Sequence, residues 1–224
     1  MNKALLFIRL DFITIKPYLT VKNLLIFVGV ALFMLVPTNS LPGTFGILMA
    51  LGALYSSYPF AIGEKSNIDV LYATLSIKRN TVVLGRYSFA LTLDIVVGLF
   101  TFIFSFLVLS VMQKSFDFIG SLSTILVLFL LFSLIQAVQL PIYFKMGYTK
   151  AKYLAYLPFM VLPAAVFIGT TFFSSLFTLD RIVGLFELVA ANPLTAALLA
   201  GVMWFGIMVI SYRISLLFYQ KRDF

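Results

Sequence analysis

None of the 224 residues is a histidine or a cysteine. That removes imidazole acid–base catalysis, thiol nucleophiles, disulfides and Cys/His metal sites together. Eight carboxylates carry the remaining acid chemistry. They are scattered along the chain, and only Asp94 falls well inside a long apolar run, so no acid–base pair is at hand for catalysis. An Asp at the centre of a membrane helix costs ~2.5–3.5 kcal/mol. Asp94 lies ~12 Å deep at 1.5 Å per residue, so it needs a polar partner or water. It reads either as a cation-attracting group lining a transport cavity or as a structural contact to a neighbouring helix or dimer partner. Gln136 and Gln139, three apart, share a helix face. They read as interhelical glue or as substrate contacts.

The elements that hold these residues follow from composition. Apolar residues make up 62% of the chain and charged residues 11%, against ~45–50% and ~25% in soluble domains. A soluble fold of this size cannot bury so much apolar side chain. A soluble enzyme, a disordered chain and a nucleic-acid-binding domain are thereby excluded.

A hydrocarbon core of ~30 Å needs about 20 apolar residues per helix. Six segments meet that length: Asn23 to Val36 extending toward Pro42, Gly43 to Ile62, Tyr87 to Met112, Leu122 to Phe144, Tyr153 to Phe177, and Pro193 to Tyr212. Runs this long are helices rather than barrel strands. The expected fold is an all-α polytopic membrane protein with six transmembrane helices in a single domain, 1–224. The first run breaks at Pro37-Thr38-Asn39-Ser40. It forms a hairpin with the second, or the two make a re-entrant pair. Pro158 and Pro163 allow kinks in the fifth.

Lys and Arg concentrate in cytoplasmic loops. Four precede the first span, four lie between spans two and three, three between four and five, and three follow the sixth. Only Lys114 and Arg181 fall on the other side. Both termini are expected to be cytoplasmic in a multi-pass protein of the cell membrane. The net charge of +8 is explained by this topology, without a nucleic-acid partner. Residues 1–22 are too interrupted by charge for a cleaved signal peptide and read as a cytoplasmic surface helix ended near Pro17. Residues 178–192 form an amphipathic outer segment, which reads as a short interfacial helix before the last span.

The inner segment 63–86 is the longest between spans. Ile68, Leu71, Tyr72 and Leu75 follow helical spacing and make one apolar stripe. Ser66 and Asp69 have the spacing of a capping box, and Lys78 and Arg79 sit where cations suit a helix C-terminus. Such a helix either docks in a partner groove or lies flat on the inner leaflet.

Glu64-Lys65, followed by Leu75-Ser76-Ile77-Lys78-Arg79-Asn80-Thr81-Val82-Val83-Leu84-Gly85-Arg86-Tyr87, resembles the loop before the third span in ABC-2-type transporter permeases. Asn192-Pro193-Leu194-Thr195 resembles the segment that precedes the last span there. The resemblance covers nearly the whole chain, and small Gram-positive members are similar in size. It implies a permease subunit of an ATP-driven exporter, paired with a second permease copy or homologue and driven by a separate cytoplasmic ABC ATPase. The short helix in the 63–86 loop would then be the coupling helix, with Glu64, Ser66, Ile68, Asp69, Leu71, Leu75, Lys78 and Arg79 at the ATPase contact. The chain has no G-x-x-x-x-G-K-[ST] motif, so ATP and Mg are expected on the partner and no cofactor on this chain. Few hydroxyl or carboxylate clusters in the spans favour an amphipathic or apolar substrate, such as an antimicrobial or cytolytic peptide. The alternative is a non-transporting membrane immunity or sensor subunit that uses the same docking helix.

The charge asymmetry predicts the topology directly. Single cysteines introduced as Lys78→Cys and Asp180→Cys should react differently with an impermeant thiol reagent on intact cells. Position 180 should label and position 78 should not; labelling at 78 inverts the assignment.

Overall fold

Backbone polar groups in hydrocarbon must bond within their own segment, which favours long helices. In the computed structural model, which describes residues 3–18, 20–38, 41–75, 77–158 and 193–222, every regular element is helical. The order is α1 (Lys3–Ile15), a 3-10 turn (Lys16–Tyr18), α2 (Val21–Thr38), α3 (Leu41–Tyr55), α4 (Tyr58–Lys65), α5 (Ile68–Thr74), α6 (Arg79–Val111) and α7 (Phe118–Met146), then α8 (148–158) and α9 (Pro193–Gln220).

Four stretches among the described residues are long and apolar enough to cross a membrane: Leu41–Lys65, Arg79–Val111, Phe118–Met146 and Ala197–Gln220. A fifth is reached if Arg9–Tyr18 and Val21–Pro37, bent by 84° at the break, count as one. The expected six are thus matched at the second, third, fourth and sixth positions. Most of the expected fifth span, Pro163, the outer segment 178–192, Ser76 and the Asn39–Ser40 turn lie outside the described residues.

The second span is not one straight rod. Pro59 near the start of α4 has no N–H to give, so the helix is interrupted at Ser56–Ser57. The Ser57 N–H moves to the Leu54 carbonyl at 3.1 Å. The hydroxyls of Ser56 and Ser57 bond the Ala53 and Leu54 carbonyls at 2.7 Å each. Side-chain hydroxyls thus replace part of the broken ladder, as membrane helices require.

The third span begins earlier than its hydropathy indicates. At ~1.5 Å per residue the 33 residues of α6 reach ~50 Å, well beyond a ~30 Å core. Its first two turns, Arg79 to Arg86, were expected as loop. They are helical because α1, α4 and α9 pack around them. Similarly α9 runs to Gln220, so Arg213 stands on a helix rather than in a tail.

Three buried clusters join the bundle. Val82, Val83, Tyr87 and Ala90 of α6 pack on Ala137, Leu140 and Phe144 of α7 and on Met208 and Tyr219 of α9. Phe89, Leu93 and Val97 of α6 meet Ile15 of α1, Ala31 of α2 and Leu48, Met49 and Ala53 of α3. The third joins Tyr143 of α7 to Ala151 and Ala155 of α8. At Gly52 the helices α3 and α6 come close: a Cβ there would lie 2.9 Å from Val97. Close backbone approach at small residues is how membrane helices gain packing without a hydrophobic drive. Outward, α9 exposes Leu198, Leu199, Val202, Met203 and Phe205, a face suited to lipid or to another membrane protein.

The N-terminal helix ends at Ile15, shortly before Pro17, and it is not simply laid on a surface. Asp11 and Ile15 are buried, and Phe12 meets Phe89 edge-on at 5.0 Å. The Arg86 Nη1 donates to Asp11 Oδ1 at 2.7 Å, with both side chains almost fully covered. Removing one partner of a buried pair strands a charge and costs ~3–5 kcal/mol, whereas replacing both with apolar groups is near neutral. Arg86→Met should therefore lower the unfolding midpoint of the detergent-solubilised protein sharply. Asp11→Leu combined with Arg86→Met should recover most of the loss. A single variant as stable as the parent would show that the pair does not anchor α1.

Candidate functional site

The residues at the basic end come together from five elements. Glu64, at the end of α4, turns toward α8, where its Oε2 accepts from the Thr149 N–H at 3.0 Å. A carboxylate at that helix start satisfies a free donor and complements the positive end of the dipole. Gly147 between α7 and α8 takes φ +75°, and a Cβ there would sit 2.8 Å from Glu64 Oε2. The positive φ favours glycine there.

Asp69, in the first turn of α5, reaches α9 instead of capping its own helix. Its Oδ1 accepts from the Tyr219 hydroxyl at 3.1 Å and its Oδ2 lies 3.7 Å from Arg222. The capping box expected from Ser66 and Asp69 is not formed. Ser66 ends α4, its N–H bonded to Ile62, and Asn67 at φ +50° provides the carbonyl that opens α5. One residue of offset at the α4–α5 corner moves Ser66 out of register.

Lys78 and Arg79 do not close α5 either. Lys78 is the N-cap of α6 and Arg79 its first residue. Arg79 nevertheless meets the C-terminal end of a helix, that of α9. Its Nη1 donates to the carbonyl of Tyr219 at 2.9 Å and also to that of Gln220. The favourable dipole contact exists, but with a helix 140 residues away in sequence.

The apolar stripe on α5 divides. Tyr72 packs against the bundle core and Ile68 is half-buried. Leu71 and Leu75 face outward at 53% and 62% exposure. Val70, which the stripe did not include, joins them at 45%. Arg86 lies beneath, over the Phe60 ring at 5.0 Å. With Glu64, Asp69, Tyr219 and Arg222 it lines a cavity of about 10 Å³, the size of one water. Sequence reasoning counted Arg86 as a topology charge and as part of the loop motif, Arg222 only as a topology charge, and passed over Tyr219 and Gly147. A glycine just past an apolar helix is a stop signal that could have singled out the last.

Deeper in the bundle, Gln136 Nε2 donates to Asp94 Oδ1 at 2.9 Å, joining α7 to α6. Both residues are fully buried. Asp94 Oδ2 and Gln136 Oε1 have no partner among the described residues. Gln139 turns to another neighbour, donating to the Ala155 carbonyl of α8 at 2.7 Å. The two glutamines are both buried in protein but tie different helices. Further hydroxyls follow the same pattern: the Trp204 indole N–H donates to Ser133 at 2.7 Å, and the Tyr87 hydroxyl meets Ser211 and Ser215.

Two features thus define the chain: a helical bundle with polar cross-links, and a short exposed helix braced at its basic end. The profile described as ABC-2 family transporter protein matches residues 6–220. The chain belongs to the ABC-2 transporter family. Searches of curated proteins and of solved structures return no match. As an ABC-2 membrane protein it is a multi-pass transport component and is not itself catalytic.

In this ABC-2 chain the Asp94–Gln136 bond provides a test. Asp94→Leu leaves the Gln136 amide buried without its acceptor and should destabilise by ~0.6–2 kcal/mol, the range for polar contacts between membrane helices. Asp94→Asn keeps an acceptor and should cost less. Thermal unfolding of the purified protein separates the two; equal costs would show that the hydrogen bond contributes nothing.

Proposed function

We propose that this chain is the membrane subunit of an ABC exporter, driven by a separate cytoplasmic ATPase that binds ATP and Mg. In this reading α5 is the coupling helix, both termini are cytoplasmic, and a second permease copy or homologue completes the pathway. The substrate is amphipathic or apolar, with a cytolytic or antimicrobial peptide the best fit to spans that carry few polar clusters. Asp94 and Gln136 then act as interhelical contacts rather than as a cation site.

The observation that carries the reading is the outward patch of Val70, Leu71 and Leu75 on α5. These side chains project where the chain is richest in Lys and Arg. Apolar groups presented there gain most by entering a protein groove, each worth up to ~1.5–3 kcal/mol when fully buried. The helix that bears them is braced on α9 through Asp69 and continues through Lys78 into α6, so a push on α5 reaches two long helices. Glu64 and Arg79 brace this segment on α8 and α9.

The test is co-purification of an ABC ATPase with the tagged permease. Leu71→Asp places a charge in the proposed groove and should weaken retention more than tenfold, as truncating an interface anchor worth ~2 kcal/mol does. Membrane insertion should survive, because no span depends on Leu71. Lys78→Gln controls for loss of inner-leaflet attraction. If Leu71→Asp keeps the ATPase and transport, coupling through α5 is wrong. A helix lying flat on the inner leaflet then explains the exposure.

A further inference from the structure

We propose that the groove between the N-terminal segment and α4 binds an acidic phospholipid of the leaflet at the basic end of the protein. It rests on the chain's spanning a membrane and not on the transport reading.

The groove has a volume of about 660 Å³ and is lined by Tyr18, Tyr58, Tyr148, Lys65 and Ser66 among others. Its lining holds hydroxyls and one cation and no carboxylate. The nearest acid in sequence, Glu64, is turned away and held on the Thr149 N–H. Among the described residues Lys65 forms no ion pair. Lys16, next to Pro17 in the wall, is exposed at the same turn. Among the described residues the groove thus offers the Lys65 ammonium and hydroxyl groups with no carboxylate in its lining, which suits a phosphate ester.

Tyr58 also lines a second cavity, of about 180 Å³, with Ile26, Leu51 and Leu54 between α2 and α3. Its ring packs on Tyr18 at 5.3 Å and on Tyr55 at 4.7 Å. Tyrosines cluster in this way at headgroup level, one end apolar and the other wet. A polar basin with an unpaired lysine therefore adjoins an apolar crevice across one aromatic wall. A headgroup in the basin with an acyl chain in the crevice uses both; a soluble anion uses only the first. Anionic lipid is the ligand that positive charge near a membrane surface attracts.

The experiment uses the full chain, purified in detergent and titrated with phosphatidylglycerol or phosphatidylcholine under native mass spectrometry. Phosphatidylglycerol should bind the more tightly. Lys65→Gln should weaken it about fivefold, the effect of one lysine near an anionic surface. Lys221→Gln, which removes the same charge outside the groove, should not. Ala61→Trp fills the basin and should abolish the preference while circular dichroism stays unchanged. Equal binding of the two lipids, or equal losses with Lys65→Gln and Lys221→Gln, overturns the proposal. Displacement of the lipid by millimolar glycerol phosphate overturns it too, in favour of a free phosphate ester.

Discussion

The Arg86–Asp11 ion pair is the contact on which the basic end of the molecule depends. A guanidinium so nearly covered cannot be left alone, because the desolvation of an unpaired charge exceeds what any neighbouring packing returns. Asp11 meets one side of it and the Phe60 ring another. Elements from three parts of the chain are thus fixed at one point: α1, the α4 corner, and the extended start of α6. The turn at Lys16–Tyr18 and the direction of α2 follow from where α1 is held.

The same rule operates along the whole bundle at lower strength. Every buried hydroxyl or amide needs a partner where water is scarce. Many of these groups find one in bonds between helices far apart in sequence, such as Gln136 to Asp94, Trp204 to Ser133, and Tyr87 to the two serines of α9. Each adds little by itself, but together they specify which face of each helix meets which neighbour. Apolar packing alone cannot do this in a solvent as apolar as the helices.

At the basic end the cross-links give mechanical continuity. Asp69 ties α5 to the end of α9, Arg79 holds the same end from α6, and Glu64 ties α4 to the start of α8. A short helix that would not be stable alone is braced by tertiary bonds, and its apolar residues are left facing outward. That combination, a rigid mount with an exposed apolar patch, is what the proposed coupling role draws on.

The helical class, the membrane environment and most of the long spans were legible in the sequence, because hydropathy reports transfer of side chains to lipid, residue by residue. So were the short helix after Lys65, the end of α1 near Pro17 and the need of Asp94 for a partner. The ends of helices and the partners of charges were not. Hydropathy placed the start of the third span at Tyr87, while α6 begins at Arg79, since its first two turns are held by neighbouring helices rather than by lipid. The Ser66–Asp69 spacing pointed to a cap within one helix, and the Lys78–Arg79 pair to the end of α5. Both acids and bases found partners on α8, α9 or α1 instead. Local spacing encodes which contacts a helix can make with itself. Only the tertiary structure decides between those and contacts 75 to 150 residues away, because the competition is settled by burial, and burial is a property of the assembled bundle.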